Sequence, residues 1–241
     1  MYGCVLYRAI GFTEAWREHE VDNFLITLGK YTGSEPTVVV PDGISTIGEQ
    51  AFAGNGALEH VIIPEGVVGL DASCFESCVA LSEATTPHSL CRVGDKAFKY
   101  CNKLQRINLE EAVESLGAEA FKGCSSLEEI ALPEGLTQIK PACFEGCRRL
   151  QKVNIPSTVH TLRHHVFHNC SALREVVLPE GLKFLERSAF EGCMSLETVV
   201  LPSTLVEIGS RAFANCENLV LPELPEGLRK MEPDAFAGVW E

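Results

Sequence analysis

Hydrophobic positions recur along this chain with a fixed period of 23 residues and without insertion or deletion. Phe52, Phe75, Phe98, Phe121, Phe144, Phe167, Phe190, Phe213 and Phe236 mark that period. Self-similarity at a period of roughly 20–50 residues signals a stacked architecture, because a unit that short buries only one face and needs its neighbours to complete a core. A proline column keeps the same period through Pro41, Pro64, Pro87, Pro133, Pro156, Pro179, Pro202 and Pro225, and is interrupted at Glu110. Three residues after Phe comes Cys in seven units: Cys78, Cys101, Cys124, Cys147, Cys170, Cys193 and Cys216. Asn55 and Val239 fill that slot in the first and last units, as expected of capping repeats whose outer faces have no neighbour to pack on.

One unit illustrates the circuit. Ile130 and Leu132 alternate with polar or small residues, which predicts a short strand with those two side chains inward. Pro133, Glu134 and Gly135 then turn the chain. Residues 136–139 return along the opposite side, and residues 142–147 predict a single helical or 3-10 turn around Phe144. Residues 1–36 form an N-terminal cap in this reading. It holds a short helix over 13–20, capped by Thr13 with Trp16 on its apolar side, and a hairpin joining 24–28 to 37–40. Residues 37–241 form the solenoid, eight full repeats plus a partial capping repeat. Pro222 replaces the usual Val or Ile in the strand of the eighth unit and suits an unpaired edge.

The frame Leu-x-x-Val-x-Ile-Pro-x-x-Val-x-x-Ile-x-x-x-Ala-Phe-x-x-Cys, running over 38–240, resembles the BspA-like class of bacterial and protozoan leucine-rich repeats. That resemblance implies an α/β, β-rich solenoid: a right-handed leucine-rich-repeat superhelix with a concave parallel β-sheet and short helical or 3-10 turns. It also implies protein binding, often in adhesion or host contact, and brings no shared catalytic set. The asparagine ladder of other leucine-rich repeats has no counterpart here.

Charge narrows the class of partner. The 241 residues carry 33 acidic against 20 basic side chains, a formal net charge of −13, which repels phosphate backbones and anionic lipid alike. Nucleic acid and membrane insertion are therefore not expected, and no apolar run reaches the roughly 20 residues that span a bilayer. The N-terminal stretch lacks the basic start and apolar core of an export signal, which places the chain in the cytoplasm, with the cell surface as the alternative that the resemblance implies. No glycine-rich phosphate loop, nucleophile elbow or His-Glu-x-x-His zinc motif is present, so the expectation is a scaffold that is no enzyme and needs no cofactor. Its oligomeric state is left open.

Candidate chemistry lies on the surface. The outward strand column reads His60, Glu83, Arg106, Glu129, Lys152, Glu175 and Thr198, whose alternating signs predict cross-strand ion pairs or a polar docking face. The next outward column, including Asn108, Asn154, Val177 and Val200, turns apolar toward the C-terminus and offers a contact patch. Glu65, Glu111, Glu134, Glu180 and Glu226 form an acidic row at the corner, which favours a basic protein partner. The 11 cysteines read as core packing, because their periodic placement suits a small buried side chain. In the sixth unit His160, His164, His165 and His168 cluster around Phe167. If the segment is helical, His164 and His168 lie one turn apart and form a metal-linked alternative; in the repeat frame they fall on solvent-facing slots.

Overall fold

The structure, a computed structural model, describes residues 19–22 and 25–239. Each 23-residue unit makes one coil with three sides, and two of those sides are parallel β-ladders. The first side carries β3 (Thr37–Val39), β5 (His60–Ile62), β7 (Glu83–Thr85), β9 (Arg106–Ile107), β11 (Glu129–Ile130), β13 (Lys152–Val153), β15 (Glu175–Val177) and β17 (Thr198–Val200). They form two four-stranded sheets that part between β9 and β11.

Strand length on this side follows the side chain at the third position. Val39, Ile62, Thr85, Val177 and Val200 are β-branched, and their strands run three residues. Asn108, Ala131 and Asn154 hold the same slot in β9, β11 and β13, which stop after two. A β-branched side chain has few rotamers to lose on a pleated surface, whereas Asn competes for backbone hydrogen bonds.

The second side is also a sheet, which the alternation in 136–139 was too short to announce. After the cap strands β1 (His19–Asp22) and β2 (Leu25–Leu28) come β4 (Thr46–Ile47), β6 (Gly69–Leu70), β8 (Arg92–Val93), β10 (Ser115–Leu116) and β12 (Gln138–Ile139). The side continues separately as β14 (Thr161–Leu162), β16 (Phe184–Leu185), β18 (Glu207–Ile208) and β19 (Lys230–Met231). The expected hairpin between 24–28 and 37–40 does not form. Instead β2 pairs antiparallel with β1 and parallel with β4, while β3 belongs to the first side and pairs with β5. The apolar rows of β2 and β3 thus feed two different sheets, so the cap is an added strand pair and not a bridge across the open end. Of the expected helix over 13–20, residues 13–18 lie outside the described residues, and His19 and Glu20 belong to β1.

The third side contains the Phe turns, and it is neither helical nor 3-10. Left-handed residues two positions before and two positions after each Phe from Phe52 to Phe213 interrupt any right-handed continuation; around Phe144 they are Ala142 (φ 55) and Gly146 (φ 74). This alternation aims N–H groups at the next coil. Ala142 donates to the carbonyl of His164 at 3.0 Å, Phe144 to Val166 at 2.9 Å and Gly146 to His168 at 2.8 Å. All three sides are therefore stitched coil to coil through the backbone, which leaves few buried polar groups unpaired.

Inside, Phe52 to Phe213 form one fully buried stack that Phe236 extends, with centroids of neighbouring rings 4.9 to 5.5 Å apart and planes within 13° of parallel. Each cysteine of the periodic column donates its S–H to the carbonyl oxygen of the Phe one coil earlier, from Cys78 to Phe52 at 3.1 Å through Cys216 to Phe190 at 3.2 Å. A small side chain with a weak donor fits a corner that would leave a larger one no room. In the first unit Asn55 fills the slot and donates to the Gly33 carbonyl at 3.1 Å.

Candidate functional site

Every residue of the outward columns lies on the solvent side of the first face: His60 is half-buried and Glu83, Arg106, Asn108, Glu129, Lys152, Asn154, Glu175, Val177, Thr198 and Val200 are exposed. The strand register sets His60 opposite Glu83, Glu83 opposite Arg106, Glu129 opposite Lys152 and Lys152 opposite Glu175. The charges alternate as the sequence indicates, yet the expected ladder of ion pairs is not made. Only His60 and Glu83 approach, at 3.8 Å, and among the described residues Arg106, Glu129, Lys152 and Glu175 form no ion pair. Exposed pairs bring only about 0.2–1 kcal/mol, too little to hold long side chains against their rotamer entropy.

Where the sheet parts between β9 and β11, an open depression of about 330 Å³ is lined by Arg106, Asn108, Glu129, Ala131, Lys152 and Asn154. Beside it Val177 and Val200 stand 54% and 53% exposed on adjacent paired strands, an apolar step next to the charged centre. Beyond β17 the ladder stops. Residues 221–223 form no strand, and Pro222 in that slot offers no N–H.

The acidic corner row has a structural job that its charge alone did not reveal. Glu65 accepts from the His88 amide at 3.0 Å and meets its ring at 2.9 Å. Glu180 accepts from the amide and hydroxyl of Ser203 at 3.0 and 2.9 Å. Glu134 does the same more loosely with Ser157, at 3.4 and 3.3 Å. These bonds hold Glu65 and Glu180 below the usual carboxylate range, the first chiefly through the His88 side chain and the second through the Ser203 amide. Each acid clamps one coil to the next, and only Glu111 and Glu226 of the row make no such bond among the described residues.

The histidines divide between two sides. His164 turns toward the second face, where its Nδ1 lies 3.4 Å from Glu186, which also accepts from Arg163 at 2.9 Å. Those side chains, with Lys140 and His160, border a depression of about 460 Å³ at the break between β12 and β14. His165 and His168 lie on the Phe-turn side with rings 5.1 Å apart and nearly perpendicular. His164 and His168 therefore do not share a face, because the left-handed His165 (φ 60) removes the helical spacing that would have aligned them.

His168 instead has Glu145 beside it, Nδ1 to Oε1 at 3.6 Å, with Lys122 on the other carboxylate oxygen at 3.0 Å. Burial pushes the His165 imidazole below its ordinary pKa, and the neighbouring His168 adds to the effect. Glu145 escaped the sequence reading, which counted His165 in the cluster but paired His164 with His168. The signal was nonetheless present: Glu145 and His168 each follow their Phe by one position, so stacking alone places them in register.

Residues 30–151 and 137–240 match the BspA type leucine-rich repeat region, in six copies. The chain belongs to the BspA-type leucine-rich repeat family. This family is a repeat scaffold and not a known family of enzymes. A leucine-rich repeat protein from Bacteroides ovatus is similar at 26% identity and a TM-score of 0.80; the match covers 91% of this chain and 60% of that one. The BspA-type solenoid here thus spans 60% of the length of that relative. A leucine-rich repeat protein from T. pallidum aligns at 25% identity and a TM-score of 0.63, covering 86% of this chain and 90% of that one. A leucine-rich cell surface protein from Faecalibacterium prausnitzii shares the fold at 18% identity and a TM-score of 0.50, over 88% of this chain and 94% of that one. None of the curated proteins matches this chain significantly. Among the described residues no helix is long and apolar enough to cross a membrane.

Proposed function

We propose that this BspA-type solenoid is a non-catalytic scaffold that binds a protein partner across the outer surface of its first face. The observation that carries the reading is a centre of opposed but unpaired charges, Arg106, Glu129, Lys152 and Glu175, set beside the exposed Val177 and Val200. Unpaired charges of both signs give a partner fixed points of register without a fold-internal bond to break, and the apolar step supplies the area that drives association. Asn108 and Asn154, each left beyond the end of a shortened strand, add amide groups at the rim of the depression. Glu111 and Glu226 would turn a basic edge of the partner toward the same side.

The test is affinity capture with the intact chain, followed by measurement of the captured partner against an Arg106→Glu, Lys152→Glu double variant and, separately, Val177→Glu. Loss of binding by about tenfold or more in both is the expected outcome. Full retention by both variants moves the contact off this face and ends the proposal. Within this reading the cytoplasm and the cell surface would offer different partners, and fractionation of the cells that make the protein separates the two.

A further inference from the structure

We propose that Glu145, His165 and His168 form a zinc-binding site on the Phe-turn side, at the step between the fifth and sixth coils. One ligand atom from each of the three lies within 4.8 Å of the other two, and theirs is the only such group of three or more among the described residues. Glu145 Oε1 and His168 Nδ1 are 3.6 Å apart. Two donors that each hold zinc at about 2.0–2.1 Å in tetrahedral geometry sit about 3.4 Å from one another, so this pair is already close to the required separation. The wider separations close by side-chain torsion.

A second observation points to the same place. The His168 Nδ1 is buried and has no hydrogen-bond partner, although an imidazole nitrogen sealed from water ordinarily finds one. A metal ion would satisfy that atom. Glu145 is prepared in a complementary way, since Oε2 is held by Lys122 at 3.0 Å while Oε1 faces His168. Lys122 would orient the carboxylate from outside, the role that outer partners take around metal ligands.

The repeat frame shows how unusual this step is. Elsewhere on the same side, residues from these two columns neutralise each other directly: Lys99 with Glu119 at 2.5 Å, and Arg211 with Glu191 at 2.5 Å. At the fifth-to-sixth step those two slots hold Glu145 and the imidazole of His165, with the imidazole of His168 as a third group beside them. Two nitrogens and one carboxylate oxygen suit zinc and its borderline neighbours better than magnesium or calcium, which seek oxygen. Three protein ligands would leave a fourth position open on a half-exposed surface.

Calorimetric titration of zinc into the full chain, in a reductant that does not chelate metal, tests the site. The informative variants are His165→Ser and His168→Ala. Both place in the slot a residue that other coils already carry there, Ser73 and Ser188 for the first, Ala53 and Ala214 for the second, so the coil keeps its fold. Wild type is expected to bind one ion, each variant to bind about tenfold or more weakly, and His164→Ala to bind as wild type. Circular dichroism of the variants checks that the solenoid is intact. Absence of binding by the wild type, wild-type affinity in His165→Ser and His168→Ala, or equal weakening by His164→Ala would each overturn the assignment.

Discussion

The cysteine column joins chemistry to packing at single positions. Burial pushes the Cys78 and Cys216 thiols up to about 12, and the thiols between them are raised as well, so none offers a thiolate at neutral pH. Cys91 alone among the described cysteines is exposed. In a Cys4→Ser background, a disulfide reagent should label Cys91 quickly in the native protein and the nine buried thiols only on unfolding. Fast labelling of several thiols would mean that the column opens far more readily than its burial implies. Cys124 touches both core and backbone, so Cys124→Ala loses a hydrogen bond and leaves a small void. Urea unfolding should report a loss of about 1–2 kcal/mol. The column was legible in the sequence as periodic buried cysteine. The carbonyl that each thiol meets was not, because that partner lies 26 residues back, on another coil.

Strands two or three residues long owe their existence to stacking, and their ends report local preference. The amide of Leu178 reaches the Val200 carbonyl at 3.1 Å, continuing the β15–β17 ladder past its third residue. Among the described residues no equivalent bond follows Asn154. Replacing Asn154 with Val should lengthen β13, slow hydrogen exchange at the Ile155 amide and stabilise the fold by about 0.5 kcal/mol. Unchanged exchange would show that the parting of the first face is set by something other than this column.

Between coils, the Glu65 and Glu180 clamps make stability depend on pH in a defined direction. Their folded pKa values are depressed, so their contribution is complete above the ordinary Glu value of about 4.3 and is lost as pH falls through the lowered folded values. A Glu65→Gln, Glu180→Gln double variant should therefore lose less melting temperature than wild type when both are acidified from neutral pH. The sequence placed these acids in one row, and only the offset between coils turned the row into a set of clamps.

In the assembled solenoid each coil supplies its neighbour's only dry surface, so the cost of a deletion depends on where it falls along the stack. Phe144 is buried between two parallel rings, 5.5 and 5.4 Å away, whereas Phe236 is partly buried and, among the described residues, is stacked on one side only. Phe144→Ala should cost about 3–5 kcal/mol in urea unfolding and Phe236→Ala distinctly less. Equal losses would contradict a nearest-neighbour stack. Periodicity was sufficient to establish the 23-residue coil, its inward residues and its outward columns, because side chains that recur in register must lie over one another when identical coils pile up. It could not establish what happens between those columns. The second sheet, the left-handed turns that displaced the expected helix, the unpaired charges of the first face and the meeting of Glu145 with His165 and His168 all depend on backbone angles and on the offset from one coil to the next. Those quantities are set by the stacked backbone as a whole, and a linear pattern of residue types does not carry them.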